Sequence, residues 1–335
     1  MKALRDIIRR QRSNLLRLPN VVGVGIGKKR ARGVETDEPA VVVFVEKKLP
    51  PDFLPRAAQV PKTIEKARTD VVETGRFRLL NAYAGRYRPA QPGVSIGHYR
   101  ITAGTFGAVV YDRRTGEPLI LSNNHILANR SNGADGRARQ GDPVLQPGPY
   151  DGGEPQRDTI ATLWRFVPLY YEVAPATCPV AAGLESYLNA LLRVYRSQYS
   201  LRLYRRSEAI NRVDCAVAKP LDRTLINEEI MGIGPIKGIT EAEPGLKVQK
   251  CGRTTGLTTG TVEYTDVTST VDIAENQQAL FEDQVMTTSI SKGGDSGSLV
   301  LDEAARAAGL LFAGSESFTL CNRIQNVLDA LNVRF

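Results

Sequence analysis

The segment Lys292–Ser298, "KGGDSGS", is the part of the sequence that decides the fold. Its glycines flank an Asp-Ser pair, which suits either a surface turn or the rim of an active site, because glycine permits tight turns and close approach of a ligand. A serine hydroxyl is a poor nucleophile near neutral pH and needs a general base, usually histidine, and a group that orients that base. The segment is therefore interpreted as part of an active site if the chain supplies a suitable histidine and acid, and as a surface turn if it does not.

The candidate bases are few, because the sequence contains two histidines, His98 and His125. His98 stands in "GHYR" (97–100), at the start of a region of short apolar runs. His125 stands in "SNNHIL" (122–127), directly after the apolar run "PLILS". Loops at strand ends display working side chains on a rigid sheet, so the pattern favours His125. The alternative is a structural histidine.

Two acids have surroundings that suit an orienting role. Asp214 precedes the apolar run "CAVA", and Asp158 precedes the strand-like run "TIATLW". A carboxylate among apolar residues is costly to bury unless it is paired, although either Asp also suits a turn that faces solvent. The order His125, Asp214, Ser296, with intervals of 89 and 82 residues, is the chain order of chymotrypsin-type barrels.

The composition is that of an ordinary soluble globular protein, with 42% hydrophobic and 24% charged residues among 335. No apolar run reaches the ~18 residues of a membrane-spanning helix, and the arginine-rich start is unlike a secretory signal. Four scattered cysteines, without a C-x-x-C pair, are typical of buried thiols in a reducing compartment. We therefore expect a cytoplasmic protein with no membrane contact, no metal and no cofactor, and the disulfide status stays open.

Positive charge is concentrated at the front of the chain. Residues 1–100 carry 21 Lys/Arg and 9 Asp/Glu, whereas residues 101–335 carry 23 and 27. Such a front can contact the acidic remainder of the chain, an acidic partner, nucleic acid or a membrane surface, although solvated charge on a small domain is the interpretation that we prefer. Arginines and tyrosines also alternate within 193–206, but no nucleic-acid module is present, so we expect no nucleic-acid partner. A homo-oligomer stays open.

The pattern of apolar residues predicts a mainly β protein with a small domain in front. Residues 1–84 are expected to form a basic α+β domain, with a regulatory role as the hypothesis, and the Gly- and Pro-rich segment 85–99 is interpreted as a linker. Short apolar runs between turn residues then predict a first β-barrel at 100–220 and a second β-barrel with a C-terminal helix at 221–335. Leucines at helical spacing mark a helical insertion at 167–210.

Five blocks together resemble the trypsin-like (chymotrypsin-fold) serine peptidases. "GDSGS" (294–298), "SNNHIL" (122–127) and "RVDCAVA" (212–218) are similar to the three active-site blocks of that family. "GRTTGLTTGTV" (252–262) and "GLLFAGS" (309–315) are similar to blocks of its intracellular bacterial members and of the plant narrow-leaf protein. The resemblance implies a two-barrel chymotrypsin-like fold for residues 100–335.

The resemblance implies a serine endopeptidase that hydrolyses peptide bonds of a protein or peptide through an acyl-enzyme intermediate. Ser296 would be the nucleophile, His125 the general base and then acid, and Asp214 the orienter of the imidazole. The N–H groups of Gly294 and Ser296 would form the oxyanion hole, and a glycine suits this role because its backbone can aim an N–H at the developing charge.

Specificity in trypsin-type enzymes for basic residues depends on an acid six positions before the serine. Ile290 occupies that position here, so we expect a pocket for small or apolar side chains. The residues Phe312, Ala313 and Gly314 are expected to form the strand that pairs with the substrate backbone, with Gly314 leaving space for it. An ordinary core strand is the alternative for this segment.

Two departures from the secreted members concern regulation. In those enzymes an N-terminus freed by cleavage pairs with the Asp that is Asp295 here, whereas this chain begins its barrels far from residue 1. The stretch "VVGVGIGKK…AVVVFVEKKLP…TDVVE" resembles the extra domain of some bacterial members, and the resemblance by itself implies no role for it. Our separate prediction is that residues 1–85 contact and restrain the barrels. The alternative function is a catalytically silent or latent protease-fold scaffold or regulator that acts by binding proteins.

Overall fold

The structure is a computed structural model. It describes residues 2–31, 34–50, 53–55, 58–75, 82–176, 178–196, 198–206, 209–274 and 277–335. The chain forms two compact units, Met1–Leu80 and Asn81–Phe335. None of the helices in the described part of the chain has the length and apolar character to cross a bilayer.

The first unit packs one helix on a small sheet. Its elements are α1 (Lys2–Leu16), β1 (Val21–Ala31), β2 (Val34–Val45), β3 (Thr63–Ile64) and β4 (Ala67–Glu73). The strand order is β1-β2-β4-β3, with β2 and β4 parallel. Leu4, Ile7 and Leu15 lie on one face of α1 and pack against Val41 and Val43. The predicted α+β character of this region is confirmed.

The second unit contains all the remaining elements. Its first half comprises β5 (Ser95–His98), β6 (Gly104–Thr105), β7 (Ala108–Asp112), β8 (Pro118–Ser122), α2 (Asn124–Leu127), β9 (Pro143–Leu145), α3 (Pro155–Asp158), β10 (Thr159–Phe166), β11 (Val173–Pro175), α4 (Pro179–Tyr195), β12 (Tyr204–Arg206) and β13 (Ala216–Pro220). Its second half comprises β14 (Lys247–Gly252), β15 (Gly256–Ala274), β16 (Gln277–Thr288), β17 (Leu299–Asp302), β18 (Ala307–Gly314), β19 (Phe318–Arg323), α5 (Ile324–Leu331) and β20 (Val333–Arg334).

The strands of the second unit form two curved sheets. Eight of them form an antiparallel sheet in the order β20-β7-β8-β13-β10-β9-β5-β6, which we call the first barrel. The second barrel is closed, in the order β14-β15-β16-β19-β18-β17. Helix α4 lies between β11 and β12, a two-stranded hairpin outside both barrels. The predicted mainly β, two-barrel class with a helical insertion is confirmed.

The segment 85–99 differs from the predicted linker. Residues 95–98 form β5, which pairs with β6 and β9 of the first barrel. Ala90, Val94 and Ile96 are fully buried in the core of that barrel. The Gly- and Pro-rich composition correctly indicates turns, but the apolar residues between the turns are buried in the core of the first barrel.

One core cluster joins the two barrels. It contains Val110 and Leu121 from the first barrel and Leu299 and Leu310 from the second. The apolar face of α5 packs into the same cluster through its four buried residues, Ile324, Val327, Leu328 and Leu331. Strand β20 then pairs with β7 of the first barrel. Helix α5 and strand β20 therefore connect both barrels through one core.

We predict that Leu331→Ala lowers the free energy of unfolding by about 2–5 kcal/mol, because Leu331 is 1% exposed in the shared core. Denaturant unfolding followed by tryptophan fluorescence and by circular dichroism measures the change. The control is Leu257→Ala, at a side chain that is 46% exposed on β15, for which we expect about 0.5 kcal/mol or less. Equal effects of the two substitutions would contradict the shared core.

Candidate active site

His125 and Asp214 meet because their strands are neighbours. Strands β8 and β13 pair antiparallel, with Ser122 opposite Ala216. His125 follows β8 and Asp214 precedes β13, so both residues lie at the same end of the sheet. The buried carboxylate of Asp214 accepts hydrogen bonds from the His125 ring Nδ1–H and, at 3.1 Å, from the His125 main-chain N–H. The ring is thereby oriented by a carboxylate that solvent does not reach.

Both barrels hold the main chain of Asp214. The side-chain amide of Asn123 donates to Asp214 O at 2.7 Å. The Asp214 N–H donates to Oδ1 of Asn322 on β19 at 2.9 Å, and the Asn322 amide donates to Oε1 of Gln284 on β16 at 2.7 Å. All of these side chains are fully buried. Sequence reasoning missed Asn322, although an Asn inside the apolar strand "FTLCNR" was a usable signal, since buried amides need partners.

Ser296 lies in the segment 292–298 between β16 and β17, which we call the nucleophile loop. Thr105 of β6 fixes it from the first barrel, since its N–H donates to Ser296 O at 2.8 Å and its hydroxyl donates to Gly294 O at 3.0 Å. The Gly297 N–H donates to Leu311 O of β18 at 2.8 Å. The loop is therefore held by main-chain contacts to both barrels.

The Ser296 hydroxyl donates to the carbonyl oxygen of Phe312 at 3.3 Å. Within the described residues, no hydrogen bond joins this hydroxyl to the His125 ring. The structure thus brings His125 and Asp214 together, whereas the Ser296 hydroxyl is hydrogen-bonded to Phe312 O and not to the His125 ring.

Gly294 has a backbone that only glycine adopts readily. Its φ is +100°, and a Cβ at this position would overlap the Thr254 hydroxyl and lie 2.7 Å from Nη1 of Arg253. The N–H groups of Gly294 and Ser296 have no hydrogen-bond acceptor among the described residues. Both donors are therefore available to an oxygen of a ligand, as an oxyanion hole requires.

Two cavities of about 480 Å³ each flank this arrangement. The His125 cavity is lined by His125, Phe312 and residues 269–273 of β15. The Ser296 cavity is lined by Ser296 and the segment 291–293. They share a wall formed by residues 313–315. His125 and Ser296 therefore open onto adjoining parts of one cleft.

The long hairpin of β15 and β16 forms the outer wall of the His125 cavity. It is attached to the first half of the unit by hydrogen bonds from Arg130 Nη1 to Ile273 O at 3.1 Å and from Glu172 N to Gln278 O at 2.9 Å. The sequence did not predict the length of these strands, because a twisted hairpin with several bulges has no strict alternation of apolar and polar residues.

The prediction that Ile290 lines the specificity pocket is wrong. Its side chain is 3% exposed and packs in the core of the second barrel with Val248 and Val262. Ser289 and Ser291 line the Ser296 cavity instead. Successive side chains of an extended segment point to opposite sides, so a shift of one position moves the residue from cavity to core.

The predicted substrate strand contributes in different ways along its length. Phe312 is buried and packs on Phe281, with ring centroids 4.7 Å apart, while its carbonyl receives the Ser296 hydroxyl. Ala313 and Gly314 line both cavities. The main chain of this segment therefore faces the cleft at the point where Ser296 lies.

The rival histidine and the rival acid have other partners. His98 is buried, its Nε2 lies 3.1 Å from Oδ2 of Asp142, and burial lowers the pKa of His98. Asp158 is also buried and accepts from Nε of Arg86 at 2.9 Å and from Nε of Arg157 at 3.1 Å. Both residues stabilise the first barrel, and neither is hydrogen-bonded to His125 or Ser296.

The four cysteines are free, and three of them are buried. Burial raises the pKa of the Cys251 thiol to about 11 and that of Cys321 to about 12, so these thiols stay protonated and unreactive near neutral pH. In the part of the chain that the structure describes, no group of three or more His, Cys, Asp or Glu side chains is arranged to hold a metal ion.

The chain resembles known proteins in sequence. Residues 2–72 match the family model described as the NARROW LEAF 1 N-terminal domain. Protein NARROW LEAF 1 of Oryza sativa subsp. japonica is 24% identical over an alignment of 338 positions, and the match covers 88% of this chain and 51% of that protein. The chain thus spans about half the length of this relative. The predicted similarity to the narrow-leaf protein is confirmed.

Solved structures of proteases also resemble the chain. A protease of Nocardiopsis is 15% identical with a TM-score of 0.45, over 73% of this chain and 98% of that chain. A glutamic-acid-specific serine protease is 16% identical with a TM-score of 0.46, over 73% of this chain and 99% of that chain. An alpha-lytic protease homologue is 15% identical with a TM-score of 0.46, over 73% of this chain and 98% of that chain.

We predict that Gly294→Ala slows the reaction of Ser296 with a fluorophosphonate reagent by about 10²-fold or more, because a Cβ forces the donor N–H to move. The second-order labelling rate of the full chain measures the effect. Gly183→Ala, on α4 outside both barrels, is the matched control, since a Cβ at Gly183 meets nothing within 4 Å, and we expect its rate to stay within about threefold of wild type. Equal losses in both variants would contradict the assigned role of Gly294.

Proposed function

We propose that the protein is a serine endopeptidase. The observation that carries the proposal is that His125, oriented by Asp214, opens onto the same cleft as Ser296, beside two main-chain N–H donors that have no acceptor among the described residues. A structural serine turn needs neither a buried carboxylate behind the histidine nor free N–H groups beside the hydroxyl. Acyl transfer needs both.

Each group has a step in this chemistry. His125 Nε2 takes the proton of the Ser296 hydroxyl while Oγ bonds to the carbonyl carbon of the substrate, and the resulting oxyanion accepts from the N–H groups of Gly294 and Ser296. The C–N bond breaks as His125 returns the proton to the leaving amine. Water then attacks the ester, giving its proton to His125, and the C–Oγ bond breaks as Ser296 regains a proton. Asp214 holds the Nδ1–H throughout.

We propose further that the residue before the cleaved bond has an uncharged side chain. The Ser296 cavity is lined by small or apolar side chains, namely Ser289, Ser291, Leu311 and Ala313, and its charged residues, Lys292 and Glu316, are exposed. A charged substrate side chain would lose its hydration there without a buried partner, which is costly.

A latent or silent protease-fold scaffold is the second candidate, and one observation favours it. The Ser296 hydroxyl is bonded to Phe312 O and not to His125. A resting form that keeps this bond would be inert until something turned the side chain. The basic N-terminal unit, as a restraint on the barrels, belongs to this candidate.

We predict that a fluorophosphonate probe labels the full chain and that Ser296→Ala abolishes labelling and peptide cleavage. Ser186→Ala, at an exposed serine of α4, is the control and should label like wild type. Gel fluorescence and mass spectrometry of the labelled peptide report the site. A folded wild-type protein that is neither labelled nor able to cleave peptides would favour the scaffold instead.

We predict that a peptide library is cleaved after uncharged residues, and that Ser291→Asp shifts the preference towards Lys and Arg by placing a carboxylate in the cavity. The ratio of kcat/KM for paired substrates measures the shift, which we expect to exceed about tenfold, or about 1.4 kcal/mol, because the new carboxylate would give a cationic side chain a partner in the cavity. Strong preference of the wild type for any charged residue would contradict the proposed pocket.

A further inference from the structure

Helix α4 exposes an apolar stripe along its whole length. The stripe, which we call the α4 seam, consists of five exposed residues at alternating intervals of four and three: Val180, Leu184, Tyr187, Leu191 and Val194. Because this spacing repeats every seven residues, the five side chains lie on one face of the helix. Monomeric proteins rarely expose a continuous apolar surface of this kind, so the seam is a candidate contact site.

The opposite face of α4 is attached to the rest of the same unit. At about 3.6 residues per turn, Asn189 lies opposite the seam. Its side-chain amide donates to Leu201 O at 2.8 Å, and its Oδ1 accepts from the Leu201 N–H at 2.7 Å. Glu185, on the same side, accepts from the Leu203 N–H at 3.2 Å. The seam therefore faces away from the residues that hold the helix.

Helix α4 has little packing of its own. None of its side chains that the structure describes is buried, whereas α5 buries four. A helix of 17 residues is marginal in water unless tertiary contacts cover its apolar face. A partner on the seam would supply that contact.

The order of residue types along the seam reads the same in both directions. Valines stand at its two ends, leucines stand next to them, and Tyr187 stands at the centre. In an antiparallel pair of α4 helices with a two-fold axis at Tyr187, Val180 would lie opposite Val194 of the second copy. Leu184 would lie opposite Leu191 of that copy. A two-fold interface requires a surface that is complementary to itself, and the seam has this property.

The charges of α4 also favour a second copy over a membrane surface. The five seam residues are uncharged, and the charged residues of the helix are Glu185 and Arg193, so its formal net charge is zero. Helices that lie on membranes are typically rich in Lys and Arg on the polar face, which attracts anionic lipids. Helix α4 lacks that excess of positive charge.

The exposed area of the seam is close to what a specific dimer needs. Full burial of a Val or Leu side chain is worth about 1.5–3 kcal/mol at about 25 cal/mol per Å², which corresponds to on the order of 100 Å² for each side chain. The seam thus offers on the order of 500 Å² per copy, and a pair of helices would bury roughly 1,000 Å² in total, the lower limit for a specific interface.

We propose that α4 pairs with α4 of a second copy of this chain, antiparallel along the seam and about a two-fold axis at Tyr187. The inference concerns a surface outside both barrels and does not depend on the proposed peptidase function. An interface of this size predicts a reversible dimer with a Kd of about 1–100 µM.

Analytical ultracentrifugation of the full chain tests the pairing. We expect a concentration-dependent species of twice the 36.6 kDa of one chain. Leu184→Lys places a charge in the apolar contact and should raise the Kd at least about 30-fold. The control is Leu257→Lys on β15, where the leucine is 46% exposed compared with 48% for Leu184, and its Kd should stay within about twofold of wild type. A wild-type chain that stays monomeric at millimolar concentration would overturn the proposal.

A second substitution, Leu191→Glu, tests the antiparallel arrangement. Alone it should weaken the dimer as Leu184→Lys does. In the double variant Leu184→Lys/Leu191→Glu each introduced charge lies opposite the other sign on the second copy, so we expect the dimer to be at least about tenfold tighter than in either single variant. In a parallel pair each introduced charge would face its own sign. A double variant no tighter than the single ones would therefore overturn the proposed arrangement.

Amide hydrogen exchange of the wild-type chain locates the contact. At concentrations above the Kd we expect the amides of α4 to exchange at least about fivefold more slowly than in the diluted monomer. Dimerisation that leaves this exchange unchanged would overturn the assignment to the seam. A monomeric chain that co-sediments with vesicles of phosphatidylcholine and phosphatidylserine would also overturn it and would assign the seam to a membrane surface.

Discussion

The site depends on a close main-chain contact between the first barrel and the nucleophile loop of the second. The backbones lie so close there that a Cβ would overlap the opposite segment of the chain. A Cβ at Gly107 of the first barrel would overlap Gly297 O of the nucleophile loop, and a Cβ at Gly297 would overlap the Ser122 hydroxyl. Thr105 completes the contact with its two hydrogen bonds to the loop. Ser296 from one barrel and His125 from the other reach one cleft because the barrels approach this closely, and the core around α5 keeps them there.

Charge is buried in this site only where partners are present. Asp214 receives two donors from His125, and its main chain is held from both barrels. Asp295 receives five donors, of which Lys250 of β14 is the only cation within the described residues. Groups fixed in this way before a substrate arrives need little reorganisation during the reaction, which is the physical basis of electrostatic catalysis. The Ser296 hydroxyl is not directed at the general base in this arrangement, because it donates to Phe312 O.

Much of the fold and the chemical core of the site could be predicted from the sequence. His125 could be identified from the sequence because the chain has two histidines and one of them follows a predicted strand. Asp214 could be identified because an acid stands before an apolar strand in the required chain order. The prediction for Ile290 was wrong because successive side chains of an extended segment face opposite sides. Counting six positions back from Ser296 does not show which side each residue faces. The linker prediction for residues 85–99 was wrong because proline and glycine indicate turns but do not show whether the residues between the turns are buried. Lys250 was missed because a lysine in a strand is normally exposed, and its burial depends on a partner 45 residues away.

The most direct test of the peptidase account is a crystal structure of the full chain with a peptide boronic acid. The account predicts a bond between boron and Ser296 Oγ, one boronate oxygen within hydrogen-bond distance of the Gly294 and Ser296 N–H groups, and the Ser296 hydroxyl position turned away from Phe312 O. A cleft without boronate at concentrations that saturate serine peptidases, with Ser296 still bonded to Phe312 O, would contradict it.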